Sequence, residues 1–371
     1  MSKLFEPLAL GALTLPNRIL VAPMCQYSAD DGSATDWHLV HLGQLAESGA
    51  GLLILEATAV SPEGRISPDD LGLYSDANEA ALARALGVVR GLSSIPVAIQ
   101  LGHAGRKASS QSPFLGGAQL RPDEPGGWTT VAPSAVPHGE GDVPPEALDE
   151  AGLAKVKADF VKAAERAARI GLQGIELHLA HGYLLHQFLS PLSNRRNDRY
   201  GGDIEGRARF PLEVFEAVRA AVPAEIPVWV RVSATDWADG GLEPAEIVEV
   251  SKRLEAMGCA AVHVSSGGLA ANQKIPLGPG YQVHLAEAVK AAVSIPVIAV
   301  GLITDPVQAE EIVAGGRADA VALARALLWD PRWPWRAAAR LGAKVEGPKQ
   351  YWRSAPAGTV PPFKGFAHGQ R

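Results

Sequence analysis

Eight short apolar runs rich in β-branched residues, each closed by turn residues and followed by an amphipathic stretch, make this chain read as a single (β/α)8 barrel. Two further observations point the same way. The runs recur at the regular spacing of a parallel sheet with helical crossovers, and most end in polar or charged residues, as barrel strands do where they meet an active site. At 371 residues the chain exceeds the usual barrel length of about 250 residues by enough to carry embellishments. An open doubly wound sheet is the alternative arrangement of the same elements.

Taken in order, residues 5–16 pattern as a short hairpin with Gly11 at its turn, placed to close the amino-terminal end of the barrel. Strands follow at 19–22, 51–55, 96–100, 174–178, 228–232, 261–265, 296–300 and 319–324, with helices between them at 153–170, 207–222, 244–257 and 306–314. Alternation along a strand puts Ala98 with Gln100, Glu176 with His178, and Trp229 with Arg231 on shared faces. One pocket at the carboxyl ends can therefore collect Cys25, Gln100, His103, His178, Arg231, Ser265, Ser266 and Arg325. Residues 104–150 form a Gly/Pro-rich excursion after strand three, too long for a plain connection and suited to an active-site wall or lid. The barrel is assigned to 1–341, and 342–371 to a tail that is either an arm on a neighbouring subunit or a loose end.

A formal charge of −6 with no clustered Lys and Arg speaks against a nucleic-acid surface or a polybasic membrane patch. Two cysteines, Cys25 and Cys259, are too few for a disulfide framework, and no CxxC pair suggests structural zinc. The N-terminus lacks signal-peptide character and no apolar run reaches membrane-spanning length, so a soluble protein of the reducing cytoplasm is expected.

The stretch from Gly174 to Glu213 carries the densest chemistry, because His178, His181 and Tyr183 follow an apolar strand and precede a long polar loop. Two imidazoles can donate to one oxygen and a nearby phenol can deliver a proton to an adjacent atom; a satisfied core pair with a packed tyrosine is the bland alternative. No GxGxxG follows an early strand and no GxxxxGK[ST] occurs. A phosphate could instead be held after strands seven and eight, by Gly301 in VGLITDP and Arg325 in LARALLWDP. Arg231 at the end of an apolar strand needs a counter-charge, either Glu176 or a bound anion. Cys25 is a nucleophile, a ligand or a small buried residue; Tyr27 reaches the pocket or packs; His38, His41, His103, His138 and His186 read as structural or surface residues.

Read together, LFEPLALGALTLPNRILVAPMCQYS (4–28), EATAVSPEGRI (56–66), QLGHAGRKAS (100–109), HLAHGY with its SPLSNRRNDRYGG loop, SSGG (265–268), VGLIT (300–304) and the arginine after strand eight resemble the Old Yellow Enzyme family of FMN-dependent ene reductases, from Phe5 to Pro331. The cysteine of APMCQYS, with a tyrosine two positions on, resembles that family's thermophilic-like class of NADPH dehydrogenases. The resemblance implies non-covalent FMN held by Ala22, Pro23, Met24, Cys25, Ala57, Gln100, Arg231, Gly301, Ala324 and Arg325, with NADPH as reductant. It implies that His178 and His181 hold a substrate carbonyl oxygen, that Tyr27 helps to place the substrate, and that Tyr183 gives the proton. The implied partner is an enone, enal or related electron-poor alkene, reduced by ping-pong hydride transfer, and the implied assembly is a homodimer or homotetramer. In that class an arginine near the C-terminus can reach a neighbour's site, and Arg353 in QYWRSAP is the candidate, left outside the site set.

Three positions depart from the family pattern: Asp203 stands for a serine, Gly206 for an asparagine and Ala324 for a glycine. Asp203 should cap its helix as a serine would, Gly206 should loosen its turn, and Ala324 should be harmless where its φ is negative. The competing functions are the same flavin barrel acting on another substrate, as in barrels fused to further domains that act on dienoyl-CoA or amines, a metal-dependent hydrolase using His178 and His181, and a non-catalytic flavin-binding scaffold.

Overall fold

A computed structural model, which describes residues 2–366, closes eight parallel strands into one barrel. They are β1 (Ile19–Val21), β2 (Leu52–Ala59), β3 (Val97–Gly102), β4 (Gly174–Leu179), β5 (Val228–Ser233), β6 (Val262–Ser265), β7 (Val297–Val300) and β8 (Ala320–Leu323), and β8 pairs back onto β1. Buried on both faces by barrel interior and helix layer, these segments read as near-continuous apolar runs, which is why the sequence located all eight.

The largest difference is β2, which continues four residues past the expected end. The range 51–55 expected from the sequence ends just before Glu56. In the structure a bulge between Leu55 and Ala57 carries the pairing with β3 onward, and Glu56 stays buried because Gln26 N–H donates to it at 2.8 Å and His38 Nε2 lies 3.3 Å away. His38 in turn caps the helix Asp36–Ala46, its Nδ1 accepting from Thr35 N–H at 2.9 Å.

The hairpin pairs Leu8–Leu10 with Leu13–Leu15 about Gly11, whose φ of +56° suits glycine. A Cβ at Gly11 would sit 3.2 Å from Pro227, so the turn lies under the amino end of β5. Asp203 caps the helix Ile204–Ala221, accepting from Gly206 N–H at 3.0 Å, an arrangement worth about 1 kcal/mol. Gly206 does not loosen this turn: a Cβ there would lie 2.0 Å from the Gly201 carbonyl, so glycine is what lets the chain close.

The excursion after β3 is pinned rather than free. Arg106 donates to Val136 O, Pro137 O and, across the barrel mouth, Leu269 O. Past the last α-helix (Trp333–Leu341), Val345 and Phe363 are buried with Trp335 and Ala338, so the tail is anchored on its own chain at these two residues; residues 367–371 fall outside the described residues. No helix among the described residues is long and apolar enough to cross a membrane.

Candidate active site

Inside the barrel, below the carboxyl ends of the strands, β3 to β6 converge on one buried carboxylate. Register places Gln100 beside Glu176, Glu176 beside Trp229, His178 beside Arg231, and Arg231 beside His263. Glu176 accepts from Gln100 Nε2 at 2.7 Å, Trp229 Nε1 at 2.7 Å and His263 Nδ1 at 2.8 Å. Burial alone would raise its carboxyl, but His263, Arg231 and the Trp229 bond outweigh that and hold it below the usual range. Glu176→Gln removes the charge and replaces one of the two acceptor oxygens with a donor, so that three donors are left with one acceptor oxygen, and should destabilise the FMN-free protein by about 3–5 kcal/mol in urea unfolding. Because the carboxyl is lowered, its contribution is present above the unfolded value and lost as pH falls through the folded one, so wild type and variant should converge in acid.

Arg231 sits above this network, 7% exposed, with Nε buried and without a hydrogen-bond partner. Glu176 acts on it only through its field, since the carboxylate oxygens are engaged elsewhere. A buried guanidinium nitrogen without a protein partner is suited to donate to a bound acceptor.

His178, His181 and Tyr183 form one edge-to-face cluster, with ring centroids 5.1 Å apart for the two imidazoles and 4.9 Å for His178 and Tyr183. His178 Nδ1 accepts from Ala180 N–H at 3.3 Å, which leaves its proton on Nε2. His181 Nε2 is 2.8 Å from Ser265 Oγ. Burial, then Arg231, pushes both imidazoles well below the usual histidine range, so both are neutral at pH 7. Burial likewise raises the Tyr183 phenol well above its ordinary value and keeps it protonated.

His181 and Arg231 open onto a cavity of about 330 Å³ that Ser265, Ser266, Tyr281, Gln282, Gly301, Leu302, Thr304, Ala324 and Arg325 also line. Gly301 has φ of +124°, and a Cβ there would strike Gln282 Nε2 at 2.7 Å. Tyr27, His181, Trp237 and Leu302, all non-glycine, also have positive φ, and all four lie at this end of the barrel, where strain of that kind collects.

A family model described as the NADH:flavin oxidoreductase / NADH oxidase family matches residues 3–343. The chain belongs to this family. It is 43% identical over 352 residues to an NADPH dehydrogenase of Geobacillus thermodenitrificans, covering 94% of this chain and 98% of that protein. It is 44% identical over 358 residues to an NADPH dehydrogenase of Listeria monocytogenes serotype 4a, covering 95% and 99%. A solved structure of morphinone reductase in complex with tetrahydroNAD is similar with a TM-score of 0.75 at 30% identity, covering 99% of each chain. The chain is thus an oxidoreductase of the Old Yellow Enzyme type, and FMN is the family's cofactor.

The residues present in this flavin oxidoreductase fit FMN. Arg231, with its unpartnered buried Nε, and Gly301, where any Cβ would displace Gln282, both line the cavity, and Arg325 supplies a cation beside it. Ala324 has φ of −105°, so alanine is tolerated where the family has glycine. The predicted residues do not all share that cavity. Ala57, His178 and Tyr183 line an adjoining cleft with Asp70 and His103, whereas Ala22 and Met24 border a void against the helix Asp36–Ala46. Pro23 is half-buried, Gln100 is turned to Glu176, and Cys25 is a thiol that burial, Asp70 and Glu56 hold well above its usual range. Tyr27 stacks edge-on to Phe114 of the excursion at 5.8 Å.

Sequence reasoning missed Lys107, Tyr281 and Gln282. Gln282 joins β6 to β7, accepting from Ser266 Oγ and donating to Val300 O at 2.9 Å. No local pattern marks it, because its role exists only once the two strand ends are neighbours.

Proposed function

We propose that this flavin oxidoreductase is an NADPH-dependent ene reductase that reduces the activated C=C bond of α,β-unsaturated carbonyl compounds, taking its two substrates in turn at one site. The observation that carries the reading is the cluster of two neutral imidazoles and one protonated phenol beside the cavity that Arg231 and Arg325 line. The names of the relatives, NADPH dehydrogenase and morphinone reductase, support the choice of reductant and of an unsaturated carbonyl substrate.

FMN, when bound, supplies the redox chemistry that moves two electrons from the nicotinamide to the alkene carbon β to the carbonyl. His178 and His181 donate to the carbonyl oxygen, where negative charge grows as the alkene is reduced, and so stabilise the transition state more than the ground state. Their neutrality is suited to this: each offers an N–H without handing over a proton. Tyr183, 4.9 Å from His178 between ring centroids, gives its proton to the α carbon. Tyr27 and Phe114 form the wall against which the substrate lies. Cys25 stays a thiol and tunes the site through its sulfur.

Purified protein loaded with FMN should be yellow, bleach with anaerobic NADPH and regain its colour with 2-cyclohexenone. Bleaching without recovery would leave an NADPH oxidase or quinone reductase in place of an ene reductase. A chain that takes up no FMN would remove the reading altogether.

A further inference from the structure

Lys107 ends the short turn Gly105–Lys107 after β3, and its ammonium is held by two backbone carbonyls, His181 O and Gly268 O, each at 2.9 Å. It also lies 5.0 Å from the centroid of the Tyr183 ring. The two carbonyls belong to loops of unusual backbone: φ is +59° at His181 and +75° at Gly182 on one, +69° at Gly267 and +89° at Gly268 on the other. The loops touch main chain to main chain, since a Cβ on Gly268 would fall 2.6 Å from His181 Cα and one on Gly182 would fall 2.2 Å from Gly268 O. Two carbonyl oxygens turned toward one point repel each other, and a cation between them reverses that sign. The contact it secures is the one that sets the His181 imidazole against Ser265 at 2.8 Å.

We propose that Lys107 is a positioning residue for the alkene-reducing half of the reaction: clamped between the His181 and Gly268 carbonyls and set over the Tyr183 ring, its ammonium holds imidazole and phenol in register on the substrate. This rests on the ene-reductase reading above. Burial, then Arg106, pushes the ammonium down to about 8, so the clamp is charged below that pH and lost above it. The other groups facing it are Arg106 on its own turn, His138 from the excursion, His178 near the end of β4, and His181 and Tyr183 beyond it. The three histidines are neutral and the phenol protonated through this range, while Asp70, in the cleft with His178 and Tyr183, is raised to about 7; the fall that belongs to Lys107 is therefore the one near pH 8 that Lys107→Met abolishes.

The test follows the two half-reactions separately by stopped flow in FMN-loaded wild type, Lys107→Met and Lys107→Arg, across neutral and alkaline pH. Lys107→Met should hold FMN and bleach with NADPH within about twofold of wild type, yet recover colour with 2-cyclohexenone about 10- to 100-fold more slowly. Its recovery rate should lack the alkaline fall that wild type shows near pH 8. Lys107→Arg, charged throughout, should regain most of the rate and lack the fall as well; if it fails to hold FMN, the Met variant's split and pH profile decide. Recovery at the wild-type rate in Lys107→Met overturns the proposal. So does an equal loss in both half-reactions, which a packing role would produce, or an alkaline fall that the Met variant shares with wild type. Failure of the ene-reductase reading is seen in wild type alone, as absence of bleaching or of recovery.

Discussion

Tyr183→Phe is expected to bind FMN and bleach with NADPH as wild type does, but to recover its colour with an enone about 10²- to 10⁴-fold more slowly. The substitution removes one oxygen and keeps the ring. That ring packs edge-on to His178 at 4.9 Å, and the extended backbone of Tyr183 forms the cap of the short helix Leu184–Leu189 without help from its side chain, both of which phenylalanine can reproduce. The loss therefore reports the proton and not the fold. Because burial holds the phenol protonated and the imidazoles neutral, the wild-type recovery rate should be insensitive to all three groups through neutral pH. Stopped-flow recovery at equal rates in the two proteins would transfer the proton to solvent or to another donor, and His178 and His181 would remain as oxygen-binding groups only.

What the sequence reveals about such a site follows from how local each signal is. The barrel was legible because every strand is buried on both faces and so spelled as an apolar run, and Asp203 was legible because a cap needs only its own helix. His178, His181 and Tyr183 were visible through their spacing on one segment, although the metal-hydrolase alternative shares the two histidines; among the described residues no three His, Cys, Asp or Glu side chains are grouped to hold a metal ion. Glu56 misled the strand boundary, since its partners Gln26 and His38 lie 30 and 18 positions away in sequence and only the fold supplies them. Gly206 misled for the opposite reason: compared with a family asparagine it looked like a lost hydrogen bond, whereas the constraint is the Gly201 carbonyl pressed against it. Lys107 was hidden in a family motif, because what it binds is backbone, and backbone carbonyls leave no trace in residue type.

Arg231→Met should separate the two readings that the sequence left open for this charge. Were Arg231 the structural partner of Glu176, its removal would leave a buried carboxylate unpaired and cost the FMN-free protein about 3–5 kcal/mol. The geometry assigns that carboxylate to Gln100, Trp229 and His263, and leaves Arg231 Nε buried without a partner. A guanidinium at 7% exposure whose buried Nε has no partner carries a desolvation cost in the FMN-free protein, offset when an acceptor binds. The FMN-free variant should therefore be at least as stable as wild type. FMN should bind it about 10- to 100-fold more weakly, the worth of one charge-assisted hydrogen bond of about 1.5–3 kcal/mol. Thermal unfolding with and without FMN measures both quantities in one experiment: the two Tm values without FMN should match or favour the variant, and the rise that FMN produces should shrink. A variant crippled without FMN would restore the Glu176 pairing as the reason for Arg231. An undiminished rise would mean that the cofactor is held by Arg325 and the backbone about Gly301 without help from the barrel floor.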